Sequence, residues 1–227
     1  MRYILTYIEA MINGKLTVDV MDDKRASTCF DIAIHDDVFE LTKEEKIRRI
    51  SLHFKQIMLA LGLNLHDDSL RDTPNRVARM YVEEIFSGLD PLNKPDITLF
   101  NNNYRYNGML IEKNISLYSY CEHHFVPIAG KAHVAYIPNG KVIGLSKINR
   151  VVQYYSKRPQ VQERLTRQIG DALKDILGTE DVAVMIDAIH YCVASRGIED
   201  TNSSTITTHY SGKFLNSDER REFLSML

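Results

Sequence analysis

Cysteine is scarce in this 227-residue chain, which has three, at positions 29, 121 and 192. So small and odd a number does not build the disulfide framework of a secreted domain; it suits a reduced, cytoplasmic setting. There is no C-x-x-C pair, which removes a common half-site of closed structural zinc. No stretch approaches the roughly 18 consecutive apolar residues needed to cross a bilayer. The opening MRYILTYIEAM is interrupted by Glu9 and makes a poor signal peptide. Excess charge is missing too: the formal net is −2. That argues against bulk attraction to nucleic acid, so an anionic ligand has to be held by a local cluster. Internal repeats, low-complexity tracts and linkers are absent. The hydrophobic share of 44% supports a sizeable core, in one large domain or one domain with a helical extension.

Residues 1–41 read as an N-terminal extension, with scattered charges (Asp22, Asp23, Lys24, Arg25, Asp36, Asp37), weak periodicity and Met21 as an alternative start. Residues 42–95 read as helical. Thr42 followed by Glu45 is a capping-box pattern, and Ile47, Ile50, Phe54, Ile57, Met58 and Leu61 recur at helical spacing until Gly62. A second helix opens at Thr73-Pro74, continues through Val77, Met80 and Ile85, and stops at Gly88. From residue 96 the period changes to two. Strands are expected at 97–100, 115–121 and 133–137, with Gly130, Pro138-Asn139-Gly140 and Gly144 as punctuation. Helices follow at 146–156 and 159–177, then a β-branched strand over 182–192 and a short helix over 219–227. The order of elements predicts an α+β fold with 96–227 as the catalytic domain.

Cys121 and His124 have C-x-x-H spacing, close enough for one turn to aim both side chains at one ion. Zinc accepts thiolate and imidazole, and Cys192, ending a predicted strand, is the natural third ligand. Three protein ligands leave one position for water, the mark of a catalytic site rather than a structural one. Each of these residues alone is more often structural, a buried thiol or a satisfied surface imidazole; the density of ligand types in Cys-Glu-His-His favours metal. Glu122 is either a partner of the ligands or a solvated strand residue. His190, two before Cys192 on the same predicted strand, shares its face and is placed for proton transfer beside the metal.

Lys147 and Arg150 are three apart in the first turns of a helix, with Ser146 at its N-cap position. Arg196 follows the metal strand, and Arg76 and Arg79 form a second i, i+3 pair. Each pair alone is a solvated face; together they suggest a polyphosphate clamp. Gln162 and Glu163 open the next helix. The carboxylate there either complements the helix dipole or accepts two N–H bonds from a guanine edge, and spacing does not choose.

Several long segments carry a resemblance: CEHHFVPIAGKAHVAYIP (121–138), KVIGLSKINRVVQYYSKRPQVQERLTRQI (141–169), DAIHYCVASRG (187–197), DTPNRVARMYVEEIFSGLD (72–90) and REFL (221–224). Together they resemble GTP cyclohydrolase I over roughly 42–227, leaving the first 40 residues outside. The resemblance implies a tunnelling-fold (T-fold) antiparallel sheet with two helices packed on it, preceded by helices. It implies assembly into an oligomeric barrel, a homodecamer of two pentamers with sites between subunits. The implied reaction hydrolyses GTP at C8, releases formate and gives 7,8-dihydroneopterin triphosphate, the first step of tetrahydrofolate and pterin biosynthesis.

Carried over by position, Cys121, His124 and Cys192 resemble the zinc ligands, and His123 and His190 the proton-transfer or base-contacting residues. Glu163, with Gln162, resembles the guanine reader. Ser146, Lys147, Arg150 and Arg196 resemble the ribose and triphosphate contacts, and Arg76 a phosphate contact reaching a neighbouring subunit's site. Arg79 stands where lysine is common, retaining the charge. Glu122, Ser146 and Gln162 join the catalytic candidates. Ile206 and His209 depart from a region usually rich in Thr and Ser, and Tyr154-Tyr155 replaces a pair that commonly contains Phe. The competing readings are a related enzyme acting on a pterin or deazapurine, and a non-catalytic nucleotide-binding module. Feedback regulation is left open.

Overall fold

The computed structural model describes residues 41–227; the readings made for the N-terminal extension, including Cys29 and Met21, lie outside the described residues. In chain order the elements are α1 (Lys43–Ala60), α2 (Thr73–Arg79), a π-helical segment (Met80–Ile85), β1 (Leu99–Asn101), β2 (Leu110–Cys121), β3 (Pro127–Tyr136), β4 (Lys141–Ile143), α3 (Leu145–Ser156), β5 (Pro159–Gln160), α4 (Gln162–Leu177), β6 (Val182–His190), α5 (Tyr191–Ala194), β7 (Thr205–Tyr210) and α6 (Ser217–Ser225). Among the described residues no helix is long and apolar enough to cross a membrane.

Helix α1 starts as expected, with the Thr42 hydroxyl accepting the Glu45 N–H at 3.2 Å. The other half of the capping box is not made. The Glu45 carboxylate accepts from Arg48 and Arg49 at 2.8–2.9 Å instead, and these two guanidinium groups hold its pKa down at about 2. Helix α2 has Pro74 in its first turn but is preceded by Asp72, not Thr73, at the cap. It runs straight into the wider π turn.

The main sheet has the order β5-β2-β3-β6-β7, antiparallel except for the two-residue β5, which lies parallel to the end of β2. Strands β1 and β4 form a separate antiparallel pair. Alternation along the strands sends every second side chain to one face. Leu117, Ala132, Val134, Val184 and Ile186 there meet Ile148 and Val152 of α3 and Leu165, Ile169 and Leu173 of α4 in one cluster. Each large aliphatic buried this way contributes about 1.5–3 kcal/mol. On the opposite face Ala135 and Ala183 pack with Phe214 and Phe223 near the C-terminus.

Of the differences from the sequence reading, three boundaries move site residues and one strand is new. The strand from Val182 ends at His190, and Tyr191–Ala194 form a helical turn, so Cys192 is not on the strand. Pro159 belongs to β5 and α4 begins at Gln162; the peptide before the helix pairs with Tyr120 and Cys121 instead of extending it. Gly144 precedes α3, leaving Ser146 inside the helix rather than at its cap. Strand β7, rich in threonine, was not expected at all; its place is set by antiparallel pairing along β6.

Candidate active site

The link between β2 and β3 is a tight turn. Cys121 N–H donates to Val126 O at 2.9 Å, and Phe125 N–H to Cys121 O at 2.8 Å. Phe125 has φ +54°, a left-handed conformation that bulky side chains rarely adopt. Packing holds it there: its ring lies 5.1 Å from that of Phe86 and 6.3 Å from that of Tyr81, and Phe86 also meets Tyr120 at 5.6 Å. The π-helical segment and the residue after it thus brace the backbone immediately after His124.

That turn brings Cys121 and His124 together with Cys192, their ligand atoms all within 4.8 Å of one another. Cys192 arrives from α5 and not from the predicted strand face. Cys121 Sγ lies 3.7 Å from His123 Nδ1 and 3.8 Å from His124 Nδ1; it is the grouping with Cys192 that selects His124. Ligands bound tetrahedrally at zinc distances stand about 3.4–3.8 Å apart, so a small closure would satisfy an ion. The chemistry of the donor set fits as well. Burial, with Cys121 beside it, pushes the Cys192 thiol up, and a divalent cation offsets that desolvation by favouring thiolate. Arg196 Nη1 donates to His124 Nε2 at 3.3 Å.

Glu122, half-buried, joins a polar knot. Its carboxylate pairs with Arg164 of α4, and its N–H donates to Gln160 O at 3.0 Å. Arg164 also donates to Gln160 Oε1 at 3.1 Å and to Pro159 O at 3.3 Å. Gln160 in turn donates to Tyr155 O and Gln168 Oε1. The ligand turn is therefore tied to the corner where β5 meets α4. Arg164 and Phe125 were not singled out from the sequence; a non-glycine residue in a ligand-bearing turn and an arginine one turn into a helix carry no local signal.

Two residues behind this turn are linked directly. His190, the last residue of β6, lies 2.7 Å from Gln162 Oε1 through its Nε2. Burial lowers the His190 pKa, partly opposed by Glu163. Gln162 is itself 1% exposed. Its Nε2 donates to Ile186 O at 3.1 Å, Thr205 O at 2.8 Å and Thr207 Oγ1 at 3.1 Å. Glu163, one residue on, is exposed at the first turn of α4.

The predicted anion residues divide. Ser146, Lys147 and Arg150 lie on α3, Ser146 and Arg150 exposed. Arg150 lines a cavity of about 370 Å³ with Glu83, Ser87, Gln153, Tyr154 and Lys157. Arg76 and Arg79 are engaged on their own helix, with Asp72 at 3.2 Å and Glu83 at 3.8 Å. His123 is exposed, its Nε2 3.9 Å from Glu122 Oε1.

Comparison with known proteins adds a family. A family model described as GTP cyclohydrolase I matches residues 50–227. The GTP cyclohydrolase 1 of Flavobacterium johnsoniae is 54% identical over 217 residues, covering 96% of this chain and 97% of its own. That of Serratia proteamaculans is 57% identical over 185 residues, 81% of this chain and 84% of its own. The first of these reaches well into the first 40 residues, which the sequence reading had left outside the likeness. Among solved structures, the archaeosine synthase QueF-Like in its apo form is similar over 46% of this chain and 93% of its own, at 18% identity and a TM-score of 0.39.

Proposed function

The chain belongs to the GTP cyclohydrolase I family, and from that premise we infer that it hydrolyses GTP to 7,8-dihydroneopterin triphosphate and formate. The observation that carries this reading at the level of residues is the Cys121–His124–Cys192 group. Two residues before Cys192, His190 is held by a buried amide.

Zinc is the metal we propose for that group, on its two thiols and one imidazole. When bound there it supplies a Lewis acid that activates water for attack on C8. The remaining work falls to the chain. C8 of guanine is a poor electrophile until N7 is protonated or hydrogen-bonded. His190, its pKa lowered by burial, and exposed His123 are the groups proposed to move those protons. Water adds at C8 and the C8–N9 bond opens to a formamide; a second hydrolysis frees formate. The ribose then rearranges and closes onto the freed amine with loss of water, for which Ser146 and the histidines are proposed to handle protons.

Glu163 presents two carboxylate oxygens at the mouth of α4, suited to the N1–H and N2–H edge of guanine. Lys147, Arg150 and Arg196 are proposed for the triphosphate, and Arg76, with Arg79 near it, for phosphate contact across a subunit boundary. Glu122, fastened by Arg164, is read as a residue that holds the ligand turn rather than one that meets substrate. Gln162, whose amide is already committed, is read as acting through His190.

We propose residues 96–227 as the catalytic T-fold domain, 42–95 as a helical region and 1–41 as an extension. Assembly into a homodecamer of two pentamers is proposed as well. Support comes from the sheet face opposite the helices, where Tyr118 and Ile189, on either side of Ala129 in one cross-strand row, and Ile206 are exposed. A cytoplasmic location suits the reduced cysteines. The test is an assay of formate and of the fluorescent pterin product from GTP, with and without a chelator. Tight GTP binding without formate release would instead favour a nucleotide-binding module.

A further inference from the structure

The amide of Gln162 has an orientation that its neighbours dictate. Ile186 O and Thr205 O are backbone carbonyls, which only accept hydrogen bonds, and both lie within 3.1 Å of one end of the amide. That end is therefore the NH2. The other end is an oxygen with no proton to give, and it faces His190 Nε2 at 2.7 Å.

A short donor chain fixes the same arrangement from the other side. Thr166 donates its hydroxyl proton to Gln162 O at 2.8 Å, one turn back along α4. In the 2.6 Å contact between Thr166 Oγ1 and Thr207 Oγ1, Thr207 must then be the donor. With its only proton directed to Thr166, Thr207 Oγ1 is left as an acceptor, and it accepts from Gln162 Nε2 at 3.1 Å. Three acceptors surround the two N–H bonds of the amide, so no rotation of Gln162 improves on this one. Thr166 and Gln162 are each 1% exposed, which keeps water from competing.

We propose that Gln162, aligned by Thr166 and Thr207, is a positioning residue that presents His190 as its Nε2–H tautomer and leaves Nδ1 as the atom that takes the proton. An amide oxygen can accept only from a protonated Nε2, and a neutral imidazole carries one proton. The β7 threonine thus acts on the chemistry without touching substrate. This inference rests on reading His190 as a proton-handling group, and it adds which nitrogen does the handling and what selects it.

The experiment is 15N NMR of the full-length, zinc-loaded protein labelled at histidine and sedimented for solid-state detection, with His190→Asn identifying the resonances. The spectra are taken at a pH at which the ring is neutral, and the expected result is a protonated, pyrrole-type Nε2 and an unprotonated, pyridine-type Nδ1 for His190. A neutral ring protonated at Nδ1 overturns the proposal. Gln162→Met should erase the tautomer preference and lower kcat by about 100-fold, the scale of an ångström-level misplacement, with KM for GTP little changed. An unchanged tautomer in that variant also overturns it. Thr207→Val tests the chain without emptying the core: kcat falls several-fold and Thr207→Ser restores it, whereas equal loss in both assigns Thr207 a packing role only. If the unaltered protein releases no formate from GTP, the activity reading fails, and the NMR result still decides the tautomer.

Discussion

Around Cys121 most polar side chains have a partner inside the chain, whereas along α3 the basic ones have none among the described residues. Glu122 is tied to Arg164, Gln162 to His190, His124 to Arg196, and Phe125 is wedged among aromatic rings. The side chains of Lys147, Arg150 and, just after the helix, Lys157 by contrast make no hydrogen bond or ion pair among the described residues, and Arg150 opens onto a cavity of about 370 Å³. The difference separates two tasks. Groups that meet reacting atoms gain from being fixed beforehand, because a misplacement of an ångström forfeits much of the rate. Groups that hold phosphate can stay solvated until the ligand supplies their partner. Arg76 and Arg79 sit between these cases, already paired with Asp72 and Glu83.

The largest effect expected from breaking the fixed end is Cys192→Ala. It should abolish bound metal, measured by elemental analysis, and lower formate release by more than about a thousandfold, since metal and nucleophile activation go together. Full turnover by metal-free Cys192→Ala would dissolve the distinction drawn above. At the solvated end, Arg150→Met should raise KM for GTP about 10–100-fold, the worth of one charged hydrogen bond, and leave metal content and melting temperature unchanged. Metal loss in Arg150→Met would show the two regions to be one.

Arg164→Met probes the tie between the ligand turn and the corner where β5 meets α4. Removing the guanidinium leaves Glu122 and the Gln160 carbonyl oxygen without that anchor, so the ligand turn should loosen. Zinc affinity, read by competition with a chromogenic chelator, is expected to fall about tenfold, the lower end of what outer-shell partners of a metal site contribute. Arg164→Lys should recover only part, because an ammonium cannot reach Glu122 and Gln160 through one planar fork. Unaltered affinity in Arg164→Met would mean the turn is held by Phe125 packing alone.

What could be read from the chain follows the reach of each signal. Helix α1, its Thr42 cap and the apolar stripe of α4 were visible because their periods are local. Cys121 and His124 were visible because a ligand pair in one turn has a spacing. Cys192 does group with Cys121 and His124, but not from the strand face expected of it: β-branched residues recur up to position 189, the strand ends at His190 and Tyr191–Ala194 turns helical, a switch that no period announces. Strand β7 was missed because Thr205–Tyr210 shows no apolar alternation; the Thr207 side chain turns in to Gln162 and Thr166, a polar seam that only the folded neighbours explain. Arg164 escaped for the same reason, its acceptors lying 4, 5 and 42 residues away in sequence.

His209 offers the smallest effect and a different kind of sharpening, since it lies behind α4, outside both regions. Its ring occupies the space over Gly170, where an added Cβ would come within 2.3 Å of it. Nε2 is buried, without a hydrogen bond, 4.0 Å from Asp171 Oδ1. Burial lowers the His209 pKa; Asp171 opposes that, while Lys174 and Arg167 add to it. A histidine with a depressed folded pKa favours the folded state above its ordinary value of about 6.5 and progressively less as pH falls below it, because the unfolded chain then binds the proton first. The melting temperature should therefore drop between pH 7.5 and pH 5.5. His209→Thr should shrink that drop without altering formate release at pH 7.5. His133 and His190, also lowered by burial, keep part of the slope in place, so the variant flattens the acid limb rather than removing it. An identical slope in His209→Thr would assign the acid sensitivity wholly to those two.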